Sequence, residues 1–371
     1  MKPTVAIFAC LGLLTACAEP PASTSVPGAR SVPVPDITAK PVAGGGTVTS
    51  RPAAPTAADQ AAVAATTRGV ALPPLKTARA GAGATLIAGA FYVVGGASKD
   101  GPLTTAEVTA PKSGGGFQPF SEAFGFTGGQ PRAFYGALTM LDTFFMIGGT
   151  GLLTVAAAPV TMDNSLGQPA LSKIGLTRAR ENQGIAFAGG FVYVVGGRSG
   201  TETLGDVERA KLADDGSLGA FTVVPGATLG VPRTGVRCIA LGKFLYAVGG
   251  QDAGGRVLAS IERAPINQDG SLGAFTSFAS LPVPRASFAL VPRTGAIYLV
   301  GGISDGGYQG SIERAPVQTG DVPGAFVRTA MGLDAARSDF AWAAEGPVVY
   351  MAGGNPGSQP LASAEMLTLP D

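Results

Sequence analysis

From about residue 61 onward, short apolar runs alternate with glycine-rich breaks, and one run closed by two glycines returns six times. It reads FYVVGG at 91–96, FFMIGG at 144–149, VYVVGG at 192–197, LYAVGG at 245–250, IYLVGG at 297–302 and VYMAGG at 349–354. The first glycines of these runs, Gly95, Gly148, Gly196, Gly249, Gly301 and Gly353, lie 53, 48, 53, 52 and 52 residues apart. A fixed period of this size is the mark of a repeat architecture.

Within a unit the runs are too short for core helices, and their β-branched and aromatic residues suit strands. In the third unit, residues 182–188 and 191–195 form two apolar runs split by Gly189-Gly190, which predicts a hairpin. A third strand is expected over about Gly205 to Leu212. The turn Asp215-Gly216-Ser217-Leu218-Gly219 then leads into a fourth around Phe221. The same turn recurs from Asp269 to Phe275 and, more weakly, from Asp163 to Gly167. One four-stranded sheet cannot cover both of its own faces, whereas a closed ring of sheets covers each face with a neighbour.

Polar positions repeat as strictly as the apolar ones. An arginine stands sixteen residues before each first glycine: Arg79, Arg132, Arg180, Arg233, Arg285 and Arg337. An aromatic stands three before it: Tyr92, Phe145, Tyr193, Tyr246, Tyr298 and Tyr350. A glutamate follows the glycine by twelve or thirteen residues in five units, at Glu107, Glu208, Glu262, Glu313 and Glu365, and the second unit is read with Ala156 in that place. Six equivalent arginines point to architecture, since chemistry usually needs one asymmetric cluster. The expected role is a guanidinium fork bonded to backbone carbonyls or to the strand-three glutamate. On that reading the arginine of the second unit needs another acceptor.

This grammar resembles that of the bacterial kelch family: Pro284-Arg285, then Ile297 to Gly302, then Glu313 and an aromatic in the fourth strand, here Phe326. The resemblance covers about residues 61–371 and implies an all-β, six-bladed β-propeller of four-stranded antiparallel blades. The family's fourth-strand Trp is replaced by Phe120, Phe221, Phe275 and Phe326, and the second unit has Pro169 nearby. The second blade is therefore expected to be the least regular. The last unit supplies three strands before Asp371, while Ala61 to Val70 has no unit of its own. Residues near 62–70 are expected to add the outer strand of the last blade and close the ring.

The first residues read as an export signal over 1–16: Lys2, then an apolar stretch from Val5 to Leu14 that is too short for a resident span. Leu14-Thr15-Ala16-Cys17 resembles the lipobox of bacterial lipoproteins, which implies lipidation of Cys17 and places the protein in the cell envelope, with a preference for the outer membrane. Residues 17–60, rich in Pro, Ala and Thr, lack the apolar area to offset backbone ordering and read as a flexible tether.

Composition excludes several classes. The 26 basic and 25 acidic residues give no basic run, so nucleic acid is not an expected partner. The chain has no histidine, which removes His-based triads and His-containing zinc sites. It also removes the copper site of the related galactose oxidases. Cys238, in an apolar strand, is read as core, and the Asp-Gly pairs at 215–216 and 269–270 as tight turns rather than calcium loops. No cofactor, metal or catalytic residue is expected, and the domain is expected to be a monomer. Kelch proteins that bind peptides contact them just after the repeat arginine. That resemblance marks Phe134, Asn182, Ser287 and Asp339, together with Gly81 and Gly235, as ligand candidates. Glu181 is a further candidate, with Arg178, Arg237 and Asp334 near the same region. The expected function is a binding or scaffold module for a protein or glycan. The alternatives are a carbohydrate epimerase like the six-bladed sialic-acid mutarotase, and a structural envelope protein.

Overall fold

The computed structural model describes residues 67–126 and 129–371. The signal, Cys17 and the tether lie outside the described residues, as do residues 61–66. The described chain forms six blades, each built on four antiparallel strands, with two short extra strands added to blade 5. In the third blade the strands are Gly184–Ala188, Phe191–Val195, Asp206–Lys211 and Thr222–Thr228, close to the segments the apolar runs predict. Short hairpins extend the connection between second and third strands in blades 1, 3 and 5.

The core lies between blades. Six buried clusters each join two consecutive blades; one packs Tyr193 and Val207 of blade 3 against Cys238 and Leu245 of blade 4, and another packs Phe91 and Val93 of blade 1 against Ala341 and Ala352 of blade 6. Phe120, Phe221 and Phe326 are buried one residue before their fourth strands. The repeat aromatics cross the seams: the Tyr193 hydroxyl donates to the Gly270 carbonyl at 2.8 Å, and that of Tyr298 to Pro370 at 2.7 Å.

An N-terminal strand closes the ring. Val70–Leu72 pairs antiparallel with Ala364–Thr368, opposing Val70 to Met366 and Leu72 to Ala364, and completes blade 6. Thr67–Arg68 pairs in parallel with the outer strand of blade 5, Val327–Gly332. The closing strand thus sits slightly later than the expected 62–70, because the residues before it reach across to the neighbouring blade. Blade 2, expected to be the least regular, departs from the others in its arginine's partner, a threonine hydroxyl in place of a glutamate, but not in its outer strand. Blade 2 has a six-residue outer strand, Ala170–Gly175, whereas that of blade 1 is only Ser121–Glu122. Pro169 ends up just before the blade 2 strand, where it takes no donor from the ladder.

The paired glycines occupy the corner where one blade meets the next. Both have positive φ in every blade, 60° and 87° for Gly95 and Gly96, for example. The second glycine donates its N–H to the carbonyl of the next blade's arginine: Gly96 to Arg132, Gly149 to Arg180, Gly197 to Arg233, Gly250 to Arg285, Gly302 to Arg337 and Gly354 to Arg79, all at 2.8–2.9 Å. A Cβ on Gly196 would stand 2.7 Å from the Arg233 carbonyl oxygen, so close approach and conformation both require glycine.

Candidate functional site at the channel collar

The six positions two residues after the repeat arginines come together at one end of the central channel. Gly81, Phe134, Asn182, Gly235, Ser287 and Asp339 all adopt left-handed backbone, with φ between 51° and 64°. Each donates its N–H to the carbonyl of its counterpart in the preceding blade: Phe134 to Gly81, Asn182 to Phe134, Gly235 to Asn182, Ser287 to Gly235, Asp339 to Ser287 and Gly81 to Asp339, at 2.7–3.0 Å. The result is a closed collar of six backbone hydrogen bonds. Left-handed backbone is costly for Phe and Ser and milder for Asn and Asp, and the collar bonds help hold it in place.

A cavity of about 130 Å³ lies against this collar, along the inner strands. Phe134, Asn182 and Asp339 line it. Ser287 belongs to the collar but not to the lining. Glu181 is placed elsewhere: its carboxylate accepts from Nε and Nη2 of Arg198 in its own blade, at 3.0 and 2.5 Å. Arg178 pairs with Glu202 and is likewise not in the lining.

Three further lining residues complete the site: Gln183, Arg237 and Trp342. Gln183 is 5% exposed, and its Nε2 donates to the Ile147 carbonyl at 2.7 Å, which leaves Oε1 buried without a hydrogen bond. Arg237 donates from Nε to the Phe288 carbonyl at 2.8 Å. Asp339 accepts from the Ser338 hydroxyl at 2.8 Å through one oxygen, while Oδ1 is buried without a hydrogen bond. Ala84, Ala137, Ile185 and Leu290 therefore share the lining with two unused acceptors, a guanidinium and four aromatics, Phe134, Tyr135, Phe340 and Trp342. Such a site suits a small polar ligand with an apolar or ring-shaped face. Gln183 and Trp342 are three and five residues past their arginines, positions that vary from unit to unit, so the repeat grammar does not single them out.

The repeat arginines lie away from this cavity, buried in the blade corners. Each donates from Nη1 to the carbonyl of its own first glycine, for instance Arg180 to Gly196 at 3.0 Å and Arg337 to Gly353 at 2.9 Å. Five also meet their glutamate: Arg79 with Glu107 at 2.5 Å, Arg180 with Glu208 at 2.6 Å, Arg285 with Glu313 at 2.5 Å, Arg337 with Glu365 at 3.0 Å, and Arg233 with Glu262. Arg132 meets the Thr154 hydroxyl at 2.8 Å and the Gln130 side-chain oxygen at 3.3 Å instead. Burial holds Arg79, Arg132, Arg233, Arg285 and Arg337 below the ordinary arginine value, and pushes the carboxyls of Glu313 and Glu365 up.

Cys238 is buried, carries no disulfide and also lines the cavity. The Asp215 and Asp269 carboxylates are taken up by their own turns, each accepting from the N–H and the hydroxyl of the serine two residues on, at 2.9 and 2.6 Å. Among the described residues no group of His, Cys, Asp and Glu has metal-binding geometry.

No model of a known protein family matches the chain. Kelch-like protein 34 from Homo sapiens is 33% identical over 136 residues, which are 34% of this chain and 20% of that protein. The chain thus matches only about a fifth of the length of this curated relative. The fold is a six-bladed β-propeller broadly like kelch-type propellers.

Proposed function

We propose that the protein is an exported, lipid-anchored binding module that holds part of a glycan or protein ligand at the collar end of its channel. The observation that carries this reading is the asymmetric cavity. Six near-identical blades there present Gly, Phe, Asn, Gly, Ser and Asp at the collar, and the buried acceptors of Gln183 and Asp339 share the lining with Trp342 and Phe134. A ring of repeats has no packing reason to vary in this way, whereas a ligand of defined shape supplies one. Aromatic faces and buried acceptors together favour a sugar or a polar side chain, whose C–H face stacks while its hydroxyl or amide protons are shared.

Trp342 is the sole tryptophan of the chain, so its emission reports occupancy directly. Full-length protein titrated with a panel of glycans, sugar acids and short peptides should show a saturable change in that emission with at least one class, weakened about tenfold or more in Asp339→Asn. Absence of any saturable change across the panel, or an Asp339→Asn variant that binds as the wild type does, refutes this location.

Asp339 and Arg237 line the same cavity, and a carboxylate and a guanidinium in one pocket also favour a second reading, an epimerase or mutarotase acting on a sugar acid. NMR exchange spectra of each bound sugar separate the two. Accelerated anomeric exchange that is lost in Asp339→Asn selects the enzyme, and binding without exchange selects the module. The anchor has its own test: the chain expressed in a bacterial host should incorporate labelled palmitate, and Cys17→Ser should abolish it.

A further inference from the structure

Five of the six repeat arginines face a carboxylate, and Arg132 does not. The ladder shows why. Glu107 lies opposite Val93, Glu208 opposite Val194, Glu262 opposite Ala247, Glu313 opposite Leu299 and Glu365 opposite Met351. The residue in that register in blade 2 is Ala156, opposite Met146. It follows Gly148 by eight residues rather than twelve or thirteen, because the connection between the second and third strands is shorter there.

Among the described residues, none fills the space of the absent side chain. Arg132, Ala156, Gly129, Gln130, Met146 and Leu171 are among the residues lining a cavity of about 150 Å³, and none of its lining is shared with the cavity at the collar. Arg132 is 2% exposed, and its described hydrogen-bond partners are all neutral oxygens: the carbonyls of Gly148 and Thr154, the Thr154 hydroxyl and the Gln130 amide. A guanidinium cannot shed its proton in a protein, so burial leaves a full positive charge that lacks its counter-charge.

The other blades also show what a carboxylate receives at this place besides the guanidinium. The N–H three residues before the arginine donates to it: Lys76 to Glu107 at 2.7 Å, Thr177 to Glu208 at 2.6 Å, Gly230 to Glu262 at 2.6 Å and Asp334 to Glu365 at 3.0 Å. The residue in that position in blade 2 is Gly129, on the wall of the cavity.

We propose that the cavity between blades 1 and 2 binds a small carboxylate anion of about the size of acetate in place of the missing glutamate side chain. The two carbons and two oxygens of acetate, added to the Ala156 methyl, reproduce the five heavy atoms of a glutamate side chain. Its carboxylate meets Arg132 and the Gly129 backbone, and its methyl meets Met146 and Leu171. Chloride supplies the charge but neither the paired oxygens that match a guanidinium fork nor a methyl for the apolar wall. A strongly hydrated dianion is disfavoured by the apolar wall.

The test is thermal unfolding of the full-length protein in sodium acetate against sodium chloride at equal ionic strength, with acetamide as the neutral isostere and line broadening of 13C-acetate as the direct readout. Acetate should raise the midpoint by about 2–4 °C at roughly ten times its dissociation constant, and acetamide should not. Ala156→Glu, which supplies its own carboxylate, should match the acetate-loaded midpoint without acetate and lose the response. Ala156→Leu, which fills the space with carbon, should lose the response as well, and serves if the glutamate variant does not fold. Equal shifts from acetate and chloride, or an acetate response that survives in either variant, overturns the proposal.

Discussion

The N–H of Gly354 in the last blade donates to the carbonyl of Arg79 in the first at 2.8 Å, the bond that every other pair of consecutive blades also makes. The seam between the chain's two ends is therefore built like the other five. Each repeat arginine has two jobs in two blades, its carbonyl receiving the preceding blade and its side chain bracing its own glycine corner. Gly354 has φ 105°, and a Cβ there would stand 2.8 Å from the Ser338 carbonyl oxygen. Gly354→Ala should destabilise the domain by at least about 2 kcal/mol in urea unfolding, through strain and a displaced seam. A loss under half of that means the seam yields more easily than the geometry indicates.

Glu107 and Glu122 face each other across the ladder of blade 1, with opposite fates. Glu107 is buried on Arg79 and accepts the N–H groups of Lys76 and Thr77, while Glu122 is exposed. Glu107→Gln should cost about 3–5 kcal/mol, because it leaves a buried guanidinium without its counter-charge. Glu122→Gln should stay within about 0.5 kcal/mol of wild type. Glu208→Gln should fall between them, since Asp206 still pairs with Arg180 at 2.8 Å. Urea midpoints of the three variants check the order.

Blade 5 differs in one donor. Three residues before Arg285 stands Pro282, which has no N–H, and Glu313 Oε2 is left buried without a hydrogen bond. Burial raises the Glu313 carboxyl above its ordinary 4.5. A raised folded-state value makes this group's contribution to stability complete below the unfolded value and lost as pH rises through the folded one. Pro282→Ala offers the carboxylate a donor, so its folded-state value should fall and less stability should be lost on going from about pH 4 to pH 7. The stability of the variant minus that of wild type should therefore grow over that interval. A difference that does not change with pH refutes the account.

The blades were legible in the sequence because their constraints repeat. The Gly-Gly corner, the arginine and its glutamate each appear five or six times at fixed spacing, and the second strand of blade 3 falls at Phe191–Val195, where its apolar run lies. The collar positions were locatable from the arginines as well. The sequence did not reveal that a left-handed backbone joins them into a closed ring, since Phe134 and Ser287 carry no local signal for positive φ. Glu181 neighbours the collar in sequence but is not in the cavity lining: the chain turns at Asn182 through left-handed backbone, and Arg198 bonds the Glu181 carboxylate. The short connection that puts Ala156 in the glutamate register shows in the ladder and breaks the sequence spacing.

Closure of the ring rests on six described residues. Val70–Leu72 pairs with the third strand of blade 6 and buries Leu72 among Phe91 and Ala343. Thr67–Arg68 extends blade 5, and Arg68 Nη1 donates to the Leu333 carbonyl at 2.5 Å. Without them blade 6 exposes an unpaired edge, blade 5 loses its parallel partner, and the seam with blade 1 loses apolar cover. Internal deletion of residues 67–72 should lower the thermal midpoint by about 10 °C or more, and amide exchange should quicken in Ala364–Thr368 well before it does in the inner strands of blades 3 and 4. A shortened internal linker is controlled for by replacing the six residues with a Gly/Ser run of equal length, which should be nearly as destabilised because it restores neither Leu72 nor Arg68. If that replacement keeps the wild-type midpoint, the remaining bonds of the seam, Gly354 to Arg79 among them, suffice to close the propeller, and the N-terminal strand only covers an edge.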